Sequence, residues 1–182
     1  MKAKSSFIKE SEIQSQADKM LQKIWVNEIL FTWQWWLLVV IFLLPWIVWW
    51  KLIDKKRIFE ILTYGLMVSL MTISFDAIGV EYDFWEYHYQ LIPLLDVLIV
   101  FDISVLMVTY MLFYQYIQSW KWFIIGHIVI AGIFAFIAEP ILVQLGYYQL
   151  LKWKYIYSFP IYIVIAIFIR WVNGLLKRLS FN

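Results

Sequence analysis

FTWQWWLLVVIFLLPWIVWWKLIDKKR, residues 31–57, decides the fold. From Phe31 to Trp50 only Thr32 and Gln34 are polar and no residue is charged, so the run is long enough to cross the hydrocarbon layer, roughly 30 Å thick, as a helix. Tryptophans crowd both ends, Trp33, Trp35 and Trp36 at one and Trp46, Trp49 and Trp50 at the other, as in the aromatic belts of membrane interfaces. KLIDKKR then sets four positive charges against one negative, the mark of a cytoplasmic flank.

Working outward, four more apolar runs predict helical spans at about 58–80, 94–117, 122–145 and 155–172, joined by short connections. With 64% hydrophobic residues and a mean hydropathy of +0.74, a water-soluble monomer is excluded. The absence of cysteine excludes disulfides, thiolate metal sites and a Cys nucleophile. A net charge of +2, with the basic residues at span ends, gives no reason to expect nucleic acid as a partner. Residues 1–30 differ from the rest: Lys and Glu alternate, and Phe7, Ile13, Met20, Leu21 and Ile24 recur at near-helical spacing. This segment reads as an amphipathic helix on the membrane surface. The predicted fold is thus all-α and integral to a membrane, with five transmembrane helices in residues 31–182 preceded by an interfacial helix in 1–30. Placing KLIDKKR inside puts the N-terminus outside, the C-terminus in the cytoplasm and the Lys-free, Arg-free 81–93 loop outside.

Polar residues inside the spans carry the functional reading. Gly65, Ser69, Thr72, Asp76 and Gly79 recur at steps of four, three, four and three, one face of a helix. Small residues and hydroxyls there are a packing seam, for which a carboxylate is not required. The third span offers Leu106, Thr109, Phe113 and Tyr116 on the side of Asp102; in the fourth, Gly132, Ala135 and Glu139 share a face and Pro140 frees a backbone carbonyl near the acid. His127 falls about 120° around an ideal helix from Glu139. The spans are expected to set Asp76, Asp96, Asp102 and Glu139 all in the outer half, with no matching acid in the inner half. Above them lies EYDFWEYHYQ, residues 81–90, where Glu86 and His88 interleave with Trp85 and Tyr87.

An ionised Asp at the centre of a span costs about 2.5–3.5 kcal/mol, and protonating one at pH 7 costs about 4 kcal/mol. The two are close, so Asp102 and Glu139 are candidate proton donors or carriers. Asp76, Asp96, Glu86, His88, Trp85, Tyr87 and Tyr110 are candidate ligand-binding residues, since acids among aromatic rings suit a cation. No phosphate loop, HExxH or nucleophile elbow occurs, no pair of histidines has metal-ligand spacing, and no cofactor is named by any motif. The leading expectation is a membrane binding or transport protein whose outward acidic and aromatic pocket takes a cation, a proton-coupled solute or a lipophilic molecule. The alternatives are an acid catalyst acting on an isoprenoid or lipid, and a structural subunit of a membrane complex. Expected partners are membrane lipid, a lipophilic or cationic small molecule, and a membrane protein or further copies of the chain.

FTWQWW through PWIVWWKLIDKKR, Asp76, Asp102 leading to YMLFYQY, FAFIAEP and YSFPIY together resemble a family of small five-span membrane proteins from spore-forming Gram-positive bacteria, over nearly the whole chain after residue 30. That resemblance implies a bacterial cytoplasmic membrane and a five-span layout, and contributes no catalytic residue. In plan alone, a compact helical bundle with intramembrane acids among aromatics is similar to integral-membrane terpene and carotenoid cyclases.

Overall fold

A computed structural model describes residues 2–93 and 97–180. It is helical, with one small pair of strands. Four described stretches are helical and apolar enough in sequence to cross a membrane: Trp33–Leu52, Lys55–Glu81, Trp120–Gln144 and Tyr155–Leu179. They contain α2 (Trp33–Leu52), α3 (Ile58–Glu81), α5 (Trp120–Ile133) with α6 (Glu139–Gln144), and most of α7 (Tyr155–Ser180). The expected span at 94–117 is helical from Ile99, through a π segment, Phe101–Leu106, into α4 (Met107–Tyr116). The beginning of that span, with Asp96, lies outside the described residues. Ahead of the bundle, α1 (Lys2–Ile24) runs into a π turn, Trp25–Ile29. Its side chains are exposed from Ser6 to Ile24, and the indole of Trp25 donates to the Gln90 carbonyl at 3.0 Å.

α4 is central, packed against α2 and α3, and α7 lies between α3 and α5. Gly65 makes the α3–α4 approach possible, because a Cβ there would meet the Met111 thioether. The core along this seam holds Tyr64, Val68, Leu106, Met107 and Ile165. In the fourth span, the Gly132 side faces Phe159 of α7, and Glu139 is bonded from α7 as well.

Two π segments explain departures from the regular spacing. A π turn inserts one residue into the helical repeat, so every later position is rotated by about 100°. After Phe101–Leu106, the buried face therefore continues through Tyr110 and Tyr114, while Tyr116 is exposed. The regular spacing had placed Thr109, Phe113 and Tyr116 there. The second segment, Phe134–Ala138, directly precedes Glu139 and Pro140, where proline cannot donate to the helical ladder. It rotates Glu139 onto the side of His127, and both are buried. The two remain apart, since twelve residues of helix span roughly 18 Å.

Helices α3 and α6 end alike. Asp83 (φ 52°) and Gly146 (φ 77°) adopt the left-handed conformation, Phe84 N–H donates to Gly79 O at 2.8 Å, and Tyr147 N–H donates to Leu142 O at 2.9 Å. These are Schellman ends. Each turns the chain into a three-residue strand, β1 (Trp85–Tyr87) and β2 (Tyr148–Leu150), which pair antiparallel with Trp85 opposite Leu150 and Tyr87 opposite Tyr148.

Candidate functional site: an acidic cavity beneath a strand pair

Strand alternation builds the roof of the site. Successive strand residues face opposite ways, so Trp85, Tyr87, Tyr148 and Leu150 point into the bundle while Glu86 and Gln149 point out. Beneath them is a cavity of about 190 Å³ between α3, the Phe101–Leu106 segment, the fourth helix and α7. Asp76, Asp102 and Glu139, from three different helices, all line it. The rings of Phe84, Trp85 and Trp153 close over it, each of the first two 5.2 Å from Trp153.

The three acids differ in how their oxygens are occupied. One Asp76 oxygen accepts from the Trp85 indole at 2.8 Å and the Tyr87 hydroxyl at 2.6 Å, and the other from Leu98 N–H at 3.2 Å. Asp76 thereby ties α3 to β1 and to the start of the third helix. Glu139 accepts from the Ser158 hydroxyl at 3.1 Å and the Tyr162 hydroxyl at 2.8 Å, with Tyr148 as a further partner. Trp153 donates in turn to Ser158 at 3.0 Å, so the roof and the acid are linked through one hydroxyl. Asp102 is 6% exposed and is approached by Thr72, yet its Oδ2 has no hydrogen-bond partner. The segment that carries it also leaves its own backbone carbonyl to the Ser69 hydroxyl, at 3.0 Å. Burial, then the nearby carboxylates, hold the Tyr87 and Tyr148 phenols above their ordinary range, so both stay neutral donors.

The structure brings together Asp76, Asp102, Glu139, Trp85 and Tyr87 among the residues singled out in the sequence. It does not bring Glu86, His88 or Tyr110. Glu86 is on the outer side of β1 and exposed, with the His88 ring 3.3 Å from it in an exposed pair. Tyr110 is buried below, donating to Tyr162 O at 2.8 Å and packed edge-on against His127. Asp96 lies outside the described residues. The sequence reading passed over Thr72 as packing and left Tyr148, Trp153, Ser158 and Tyr162 without a site role; the last two stand one helical turn apart in YSFPIY and face inward together. Among the described residues no three acids, histidines or cysteines are placed to hold one metal ion.

At the other end, among the basic residues, the expectation of no inner acid is corrected. Glu60 sits in the first turn of α3, where Arg57 binds it twice, at 3.2 and 3.1 Å. Tyr114 donates to it at 2.6 Å and Lys177 reaches it at 3.1 Å. Asn173 donates to the Glu60 carbonyl at 3.3 Å and to the Tyr114 hydroxyl at 3.1 Å. Arg170 is buried in α7; its guanidinium donates to the carbonyls of Ile117 and Gln118 and lies 4.1 Å from the Phe123 ring centre.

Comparisons of the chain with family models, with curated proteins and with solved structures find no match.

Proposed function

We propose that this chain is an integral membrane binding protein whose cavity receives the positively charged head of a lipophilic ligand. The observation that carries the reading is Asp102: it lines a cavity walled by aromatic rings, and one oxygen of its buried carboxyl group has no partner in the chain. A buried polar atom without a partner costs stability, and Asp102 is the acid among the three such atoms of the described residues, beside the Trp49 indole and His127 Nε2, that lines the cavity, where a partner from outside would satisfy it. An organic ammonium suits it better than a metal ion, because the acids do not converge on a single point and the surrounding rings attract a diffuse cation. A binding pocket suits it better than a channel, because the apolar layer of Val68, Leu106, Met107 and Ile165 separates the cavity from the Glu60 network.

In this reading the third helix is a fifth crossing, α1 lies along the membrane surface, and the protein resides in a bacterial cytoplasmic membrane. The strand pair faces outward, and Lys51–Arg57 and the C-terminus face the cytoplasm. In this cysteine-free chain, an impermeant thiol reagent applied to intact cells should label a cysteine placed at position 86 and spare one at position 55; the reverse would invert the orientation. An acid catalyst acting on an isoprenoid would use the same unpaired Asp102 oxygen as its proton donor, with the rings of Phe75, Phe101 and Phe134 steadying the cation it forms. A non-reactive cation separates pocket from chemistry. Benzyltrimethylammonium, titrated calorimetrically into the protein in phosphatidylcholine nanodiscs, should bind at one site, at least tenfold more weakly in Asp102→Asn and unchanged in Glu86→Gln. Absence of saturable binding, or equal binding in Asp102→Asn, would refute the proposal.

A further inference from the structure

The cavity is too small for a whole lipid. An engineered cavity of about 150 Å³ holds one benzene, so about 190 Å³ accommodates a head group and little else. Any long chain attached to that head must leave the cavity. The structure shows one side where apolar residues of the lining are also on the outer surface. Helices α3 and α7 run antiparallel and are joined near the basic end, where the Tyr64 hydroxyl donates to Ala166 O at 3.5 Å and Asn173 donates to Glu60 O. Towards the strand pair, Phe75 and Ile78 of α3 and Ile161 of α7 line the cavity, yet Phe75 and Ile78 are 42% and 50% exposed. By helical phase these two lie on the α7 side of α3, on the flank that carries Tyr64 and Val68, whereas Ser69 and Asp76 lie on the flank towards the third helix.

Resting on the pocket reading above, we infer that the junction of α3 and α7 is a lateral portal, and that the ligand is a single-chain alkyl or isoprenyl amine entering from the bilayer. Its ammonium pairs with the Asp102 carboxyl group in the cavity wall and its chain passes between Phe75, Ile78 and Ile161 into the lipid. Depth agrees with this route. Ile78 and Phe75 stand three and six residues before the end of α3 at Glu81, about 5 and 9 Å along the axis, which is where the chain of an interfacial amphiphile begins. The exposed surface they share with the bilayer is apolar, so the chain exchanges one apolar environment for another and the charge alone selects the site.

The test uses hexadecylamine carrying a diazirine on the sixth carbon from the amine, photolysed with the full-length protein in phosphatidylcholine nanodiscs and mapped by mass spectrometry. Specific adducts are those removed by excess benzyltrimethylammonium. They should fall on the outer surfaces of α3 and α7 around positions 75, 78 and 161, and should drop at least tenfold in Asp102→Asn. Competed adducts that lie on α2 or the strand pair while benzyltrimethylammonium still binds through Asp102 would overturn the portal and leave the pocket standing. Loss of benzyltrimethylammonium binding to the wild-type protein would remove pocket and portal together. Adducts at the rim that persist in Asp102→Asn would show that the amine is held by the lipid face alone, which also overturns the proposal.

Discussion

The two ends of the bundle each hold buried or half-buried acid, and they treat it in opposite ways. At the basic end Glu60 is surrounded by Arg57, Lys177 and Tyr114, with Asn173 closing the circle behind it. At the strand end Asp76 and Glu139 are likewise supplied with donors, yet Asp102 between them keeps an empty oxygen. Partners for a carboxylate were plainly available to this chain, since twelve tyrosines and twelve tryptophans supply hydroxyls and indoles throughout. The contrast separates acids that hold helices together from an acid kept available. In the proposed reading, one end is a clasp and the other a receptor.

The largest effect should come from the clasp. Glu60→Ala leaves the Arg57 and Lys177 charges and the Tyr114 hydroxyl without their shared acceptor, and breaking such a partly buried pair costs about 2–3 kcal/mol. A thermal melt in nanodiscs should show a fall of several degrees with benzyltrimethylammonium affinity retained. If affinity vanished while the fold stayed intact, the two ends would be coupled and the division drawn here would fail.

Next in size is Gly79→Ala. A Cβ at Gly79 would overlap the Trp85 indole, which is fixed by its bond to Asp76 and by its contact with Trp153, so the roof must shift. Overpacking of this kind costs about 1–3 kcal/mol, and binding at the proposed cation site beneath should weaken with it. Gly65→Ala is the smaller counterpart in the middle of the seam. There the added methyl meets the buried but more pliable Met111 and Met107 side chains, and the expected loss is about 1 kcal/mol with no change in binding. Equal losses of binding in the two variants would mean that the roof has no special part in holding the ligand.

How far the sequence could be read follows from what each feature depends on. The helices at 33–52, 58–81, 120–144 and 155–180 were legible because long apolar runs need no tertiary context. The Ser69–Thr72–Asp76 stripe was legible because α3 keeps an unbroken 3.6-residue period. Asp102 and Glu139 were visible as acids in apolar surroundings, but their setting was not, because a π turn leaves no mark in composition and rotates everything after it. That rotation explains why Tyr110 and Tyr114 continue the buried face while Tyr116 is exposed. Glu60 was missed because its meaning lies in Lys177, 117 residues away. Strands of three residues are too short to show alternation, so Trp85 and Tyr87 could not be told from Glu86 and His88 in a loop read as one cluster. Trp35, at one end of the first apolar run, also donates to the Leu91 carbonyl, a partner that lies 56 residues away and that composition does not show.

The smallest expected effect is the most informative. Because Asp102 Oδ2 has no partner, the ligand-free protein should lose nothing when that oxygen becomes an amide nitrogen that can turn towards the cavity. The melting temperature of Asp102→Asn, measured beside wild type in the same nanodiscs without added amine, should be equal or higher, a change within about 1 kcal/mol. A fall as large as that of Glu60→Ala would show that Asp102 is held by the chain like the other acids, and would contradict the claim that this end of the bundle is a receptor.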